Sequence, residues 1–234
     1  RSVGVDVSSE EGRELIYRIA CTADVFLTNY LPDVRQKLQI DVEHIRAVNP
    51  DIIYARGSAF GDKGPERRLG GFDSTAFWNR GGIGYALTPE ELPGVMSQGI
   101  PAFGDTIGGM NIAGGIAAAL LHRERTGKAT EVDVSLMSTA AWAMASSLSL
   151  TMETGAQLRS PYPGSGTAPG NPFMGNFRTS DGGTINLCMI TPGPYIRDTF
   201  EHLGLAEAAD DPRFAEVSDL MANWEAAGAM VTQA

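Results

Sequence analysis

Residues 24–55 read DVFLTNYLPDVRQKLQIDVEHIRAVNPDIIYA, and their rhythm decides the fold class. Val25-Phe-Leu is a short apolar run of strand length, and Ile52-Ile-Tyr-Ala is another. Between them Pro32-Asp33 starts one short helix, because proline suits a first helical turn. Asp41 starts a second, which stops before Asn49-Pro50. Upstream, Val3 to Val7 is strand-like, and Ser8 or Ser9 can cap a helix from Glu10-Glu11 to about Ala23. That helix carries Leu15, Ile16, Ile19 and Ala20 on one face. The order β-α-β-α-β predicts a parallel sheet covered by helices.

Downstream of this unit the signals thin out. Gly57 to Gly104 is rich in glycine and turns and shows little periodicity, a pattern of functional loops. Helical spacing returns from Thr106 to about Arg125 and ends at Thr126-Gly127-Lys128. Glu131-Val-Asp-Val-Ser reads as a strand and Leu136 to about Met152 as a helix. Gly155 to Gly175 holds four prolines and five glycines, which predicts a linker. Beyond it, Asn176 to Leu187 reads as a hairpin turning at Ser-Asp-Gly-Gly, followed by a helix from Gly193 to about Leu203. The expected division is residues 1–154 as part of a large domain, 155–175 as a Gly/Pro-rich linker and loop, and 176–234 as part of a small domain.

Composition narrows the function classes. Hydrophobic residues make up 43 % and charged residues 20 % of the chain, which is a globular balance. The formal net charge is −10, from 28 acidic and 18 basic residues. No basic face suits nucleic acid, and an anionic ligand would have to be held by local donors. No apolar run reaches the ~18 residues of a membrane span. Two cysteines without paired spacing, Cys21 and Cys188, exclude a disulfide framework and a cysteine-rich metal site, and fit a reducing, cytoplasmic setting. The three histidines are far apart in helix-like segments, so no metal cluster is expected.

Four stretches can carry chemistry. In Phe103-Gly-Asp-Thr-Ile-Gly-Gly-Met-Asn-Ile-Ala-Gly-Gly, Asp105 sits directly before a predicted helix. The simplest role there is an N-cap. The alternative is a nucleophile: Gly108, Gly109, Gly114 and Gly115 each weaken the helix by ~1 kcal/mol relative to alanine, which points to close approach of another backbone or a ligand, or else to tight helix packing, and the helix start keeps a carboxylate ionised. Asn29 and Tyr30 fall just past a strand, at the edge where parallel sheets hold ligands. With Lys37 they offer an amide, an aromatic face and a cation, a set suited to adenine and phosphate. Gly70-Gly-Phe-Asp-Ser-Thr-Ala-Phe-Trp-Asn-Arg-Gly-Gly is either a buried loop packed on Phe77 and Trp78 or a substrate-pocket wall. Gly164-Ser-Gly-Thr-Ala-Pro-Gly is a linker or a mobile closing loop.

Residues 24–41, 45–61, 70–77 (GGFDSTAF), 103–135 (FGDTIGGMNIAGGIAAALLHRERTGKATEVDVS), 176–187 (NFRTSDGGTINL) and 210–214 (DDPRF) follow an order that resembles the family III CoA-transferases. This is the CaiB/BaiF family, whose relatives include formyl-CoA and carnitine CoA-transferases and the α-methylacyl-CoA racemases. The resemblance implies an α/β fold: an incomplete Rossmann-like large domain with a parallel sheet and helices, plus a smaller α+β domain, in a homodimer of interlocked chains. It also implies further family segments before Arg1 and after Ala234. Asp105 matches the catalytic aspartate, in an Asp-x-x-x-Gly motif. Val5, Asn29, Tyr30, Lys37 and Leu38 match positions lining the CoA site. Phe72 stands where transferases often have tyrosine and the racemases a catalytic histidine. Gly164, Gly166 and Gly170 match a glycine loop that shields the intermediate.

The implied activity is transfer of CoA from an acyl-CoA to a free carboxylic acid, through an aspartyl mixed anhydride and an aspartyl-CoA thioester, without a metal. The aromatic loop from Phe72 leans towards an aryl or 2-hydroxy acid. Two alternatives stay open: a racemase-like isomerase, which Phe72 disfavours because it cannot move a proton, and a non-catalytic subunit of a heterodimeric transferase.

Overall fold

Ser9 accepts a hydrogen bond from the Gly12 N–H at 3.0 Å and so starts α1 (Glu10–Ala20). The chain then alternates through β1 (Val25–Thr28), α2 (Pro32–Leu38), α3 (Val42–Val48) and β2 (Ile53–Ser58). A π-helix (Asp73–Arg80) and α4 (Ile83–Leu87) lead to the long α5 (Phe103–Thr126), β3 (Glu131–Ser135), α6 (Leu136–Ala143) and α7 (Ala145–Thr154). The computed structural model describes residues 2–162, 166–168 and 170–234. The chain forms two compact units, residues 1–88 with 94–159, and residues 89–93 with 160–234.

The first unit is built on a three-stranded parallel sheet in the order β1-β2-β3, with Val25 opposite Ile53 and Tyr54 opposite Glu131. Alternation along β2 sends successive side chains to opposite faces. Ile52 and Tyr54 enter a cluster with Ala20, Ile40 and Ile45 under α1 and α3. Ile53 and Ala55 enter another with Ala119 and Val132 under α5. All four are fully buried, as a central parallel strand covered on both faces requires. Gly115 lets α5 approach β3, since a Cβ there would lie 2.7 Å from a Val132 methyl.

The second unit is an antiparallel sheet, order β4-β5-β6, of β4 (Gly166–Ala168), β5 (Asn171–Arg178) and β6 (Thr184–Cys188). Helices α8 (Ile196–His202), α9 (Ala206–Ala209), α10 (Val217–Ala222) and α11 (Trp224–Gln233) follow. Phe173, Phe200 and Phe214 dominate its core, with Phe173 and Phe200 edge to face at 5.2 Å. The expected hairpin is present, and the Asp181 carboxylate pins its loop by accepting from the Gly183 N–H.

Several local expectations change. Val3 to Val7 forms no strand among the described residues. Val3 is exposed, and Ser8 and Ser9 fold back to hydrogen bond Asp6, leaving no ladder for an isolated strand. Within the unpatterned stretch 57–104 lie the π-helix and α4; a five-residue hydrogen-bond repeat has no signature in a search for 3.6-residue spacing. The helix from Leu136 breaks at Met144 into α6 and α7. Part of 155–175 is strand, because β4 and the start of β5 fall there.

Candidate active site

The strands β1, β2 and β3 end at Thr28, Ser58 and Ser135, and the residues just beyond or at those ends open on one cavity of about 780 Å³. Its wall holds Asn29 and Tyr30 after β1, Gly57 to Ala59 at the end of β2, and Val134 to Leu136 at the β3–α6 junction. The start of α5 supplies Ala102, Asp105, Gly108, Gly109 and Ile112; the loop before the π-helix and that helix's first two residues supply Gly70 to Ser74. This is the carboxyl edge of a parallel sheet, where open α/β folds bind ligands.

Asp105 is not an N-cap. α5 starts at Phe103 after Ala102, which takes a left-handed conformation (φ 55°) and offers no side-chain cap. Asp105 is therefore in the first turn, exposed at the cavity wall. Its pKa lies above the ordinary carboxylate value, first through partial burial and then through the nearby Asp73 carboxylate. A carboxylate that holds its proton more tightly is also a better nucleophile once ionised.

The local fold that places Asp105 was not visible in its own sequence segment. Asp73, buried at the start of the π-helix, accepts from the Gly104 N–H at 2.9 Å. Its second oxygen accepts from the Gln98 side-chain amide, which also donates to the Ile100 carbonyl at 2.7 Å. Asp73 thus takes the cap's role from another element and clamps the start of α5. Gly104 permits the contact, since a Cβ there would collide with the Phe77 ring and the Asp73 carboxylate. Phe77 is fully buried and meets Phe103 edge to face at 5.8 Å. The aromatic loop is therefore divided: Phe77 and Trp78 are core, while Phe72, 78 % exposed, lines the cavity.

Two arginines of the wall are held by carboxylates. Arg35, buried, pairs with Asp41 at 3.0 Å and donates to the Tyr30 carbonyl at 2.9 Å, fixing the Asn29–Tyr30 lip. Arg56 meets Asp133 at 2.9 Å, Asp62 at 3.0 Å and Glu131 at 3.0 Å.

Of the residues expected at the site, Asp105, Asn29, Tyr30 and Phe72 share this cavity. Val5, Lys37 and Leu38 do not line it: Lys37 is exposed, and Leu38 packs on the cluster under α1. Gly166 and Gly170 belong to the second unit, Gly166 in β4 and Gly170 in the left-handed region. Gly164 lies outside the described residues. Gly115 packs closely on the Val132 side chain, whereas a Cβ at Gly109 or Gly114 would meet no protein atom; Gly108 and Gly109 line the cavity. Arg56, Asp73, Gln98 and Asp133 were missed, because each is placed by pairings far apart in the chain, and Arg35 because its partners, Tyr30 and Asp41, come from outside its own helix.

The family model described as CoA-transferase family III matches residues 1–234. The (R)-2-hydroxy-4-methylpentanoate CoA-transferase of Clostridioides difficile is 30 % identical over 94 % of this chain and 54 % of its own length. The cinnamoyl-CoA:phenyllactate CoA-transferase of Clostridium sporogenes is 29 % identical over 94 % of this chain and 52 % of its own. The crystal structure of Rv3272 from Mycobacterium tuberculosis superimposes with a TM-score of 0.80 at 30 % identity, over all of this chain and 59 % of that one. A CaiB/BaiF family protein from Brucella suis matches with a TM-score of 0.78 at 30 % identity, covering 100 % of this chain and 60 % of its own. The chain spans about half the length of the curated relatives it matches.

Proposed function

The chain belongs to CoA-transferase family III, and from that premise we propose that Asp105 is the nucleophile of an enzyme that moves CoA from an acyl-CoA donor to a free carboxylic acid. The observation that carries this reading is an accessible carboxylate, raised in pKa and without an ion-pair partner among the described residues, at the sheet-edge cavity.

The Asp105 carboxylate attacks the thioester carbonyl, forming a mixed anhydride and expelling CoA thiolate. The thiolate attacks the aspartyl carbonyl, releasing the donor acid and leaving an aspartyl-CoA thioester. The acceptor carboxylate then displaces the thiolate to form a second mixed anhydride. Attack of thiolate on the acceptor's carbonyl yields the new acyl-CoA and restores the Asp105 carboxylate. Each step exchanges one acyl bond for another, so no proton is consumed.

The acceptor in this reading is an aryl or 2-hydroxy acid. Exposed Phe72 and half-exposed Tyr30 give the cavity two aromatic faces, and the two relatives named above act on acids of those kinds by their names. A second copy, interlocked with the first, completes the assembly. The test is peptide mass spectrometry of the intact protein after incubation with succinyl-CoA, cinnamoyl-CoA and other acyl-CoAs, with hydroxylamine trapping. Modification of the Asp105 peptide, lost in Asp105→Ala, is the expected outcome. An unmodified Asp105 under turnover with an active donor would remove the nucleophile assignment.

A further inference from the structure

The cavity wall carries four carboxylates, Asp62, Asp73, Asp105 and Asp133, and three arginines, Arg35, Arg56 and Arg67. Counted as ions, the wall is one charge negative, in a protein of net charge −10. Every species of the proposed reaction is an anion: CoA through its phosphates, the donor and acceptor acids through their carboxylates. An anion entering low-dielectric surroundings beside like charges is repelled unless a cation meets it.

Two of the three arginines have no charge to give. Arg35 faces Asp41 and Arg56 faces Asp62, Glu131 and Asp133, all at 2.9 to 3.0 Å. Removing Arg56 from its three partners would strand them, so a ligand must compete with three carboxylates for one guanidinium. Arg67 differs. Its backbone N–H closes a turn onto Gly64, and the residue is exposed, lines the cavity and makes no ion pair among the described residues. Neighbouring Arg68 faces Asp33 at 3.5 Å, and Arg80 faces Glu66 at 3.0 Å. The acidic groups of this loop, Asp62 and Glu66, thus go to Arg56 and Arg80.

We propose that Arg67 is the anion-recognition residue of the cavity, binding a phosphate of CoA or the carboxylate of the acceptor acid. Its planar fork of donors matches either group bidentately. The assignment rests on the CoA-transferase reading for the identity of the ligand, but not for the charge balance that points to Arg67.

The experiment uses the intact protein and its Arg67→Ala, Arg67→Gln and Arg67→Lys variants. Calorimetric titrations with CoA and with pantetheine, which lacks the phosphates, are paired with steady-state KM values for the carboxylic acid. Loss of a charge-assisted pair is expected to weaken the anion's binding by about tenfold or more. A fall in CoA affinity with pantetheine unchanged assigns the phosphate. A tenfold rise in the acid's KM with kcat retained assigns the carboxylate. In either case Arg67→Lys recovers part of the loss, and salt weakens wild-type binding more steeply than that of Arg67→Ala. Unchanged CoA affinity and unchanged acid KM, in variants that melt like wild type, would overturn the proposal. Labelling of Asp105 in the same preparations separates the two readings: labelled Asp105 with indifferent Arg67 sinks only this inference. Unlabelled Asp105 with Arg67-dependent CoA binding sinks only the catalytic one.

Discussion

Around one cavity, two groups of acidic side chains are treated differently. Asp62, Glu131 and Asp133 surround Arg56, whose side chain is only 11 % exposed. Asp73 and Asp105 have no cation between them among the described residues. Asp73 is held instead by two N–H donors, the Gly104 backbone and the Gln98 amide, and Asp105 by none among the described residues. In the first group charge fastens β2 to β3 and to the loop after β2. In the second it stays uncompensated, which costs stability and leaves a carboxylate able to react.

The contrast can be broken in three ways. The largest effect is expected at Gly104. Gly104→Ala forces a methyl into the Phe77 ring and the Asp73 carboxylate, displacing the first turn of α5. Turnover should fall by about a hundredfold with an overpacking cost of about 1–3 kcal/mol, read by steady-state kinetics beside a melting curve. Activity near wild type would show that the clamp on α5 does not position Asp105.

An intermediate effect belongs to the other group. Arg56→Met leaves three carboxylates facing an apolar stem. Those partners are partly solvated, so the loss should be about 2 kcal/mol, below that of a fully buried pair, measured by urea unfolding. If stability holds and CoA binding is lost instead, Arg56 serves ligand rather than fold, and the division drawn here fails.

The subtlest effect is a pH shift. In the proposed mechanism Asp105 must be ionised to attack, and its pKa is raised, by partial burial and then by Asp73. Activity is therefore lost as pH falls through that raised value. Asp73→Asn keeps an oxygen for the Gly104 N–H and removes the negative charge, so the acid limb of kcat/KM should move to lower pH. The sign for stability is opposite. A carboxylate that binds its proton more tightly folded than unfolded destabilises the fold above its folded pKa, and the penalty is relieved as pH falls through it. An acid limb that stays in place in Asp73→Asn would mean that the two carboxylates are not coupled.

Much of this was legible in the residues. Apolar runs of strand length, proline and aspartate helix starts, and the Asp-Gly turn marked β1, β2, α2, α3 and the β5–β6 hairpin, because local backbone preferences and side-chain period suffice for those elements. Asp105 stood out through its glycines, and Asn29 and Tyr30 through their place after a strand. Val3 to Val7 misled, since strand propensity without a neighbouring ladder makes no strand. Asp105 was misplaced as a cap, because the group that actually meets the first turn of α5 is 31 residues away in the chain.

The sequence by itself determined the alternation of strands and helices, and with it the sheet edge at which a ligand can sit. Tertiary structure alone decided how the charges there are used. Which arginine faces which carboxylate, and which carboxylate is left without a cation, depends on pairings such as Arg56 with Asp133, 77 residues apart. Coulomb energy depends on distance in space, and no local pattern in the chain encodes it.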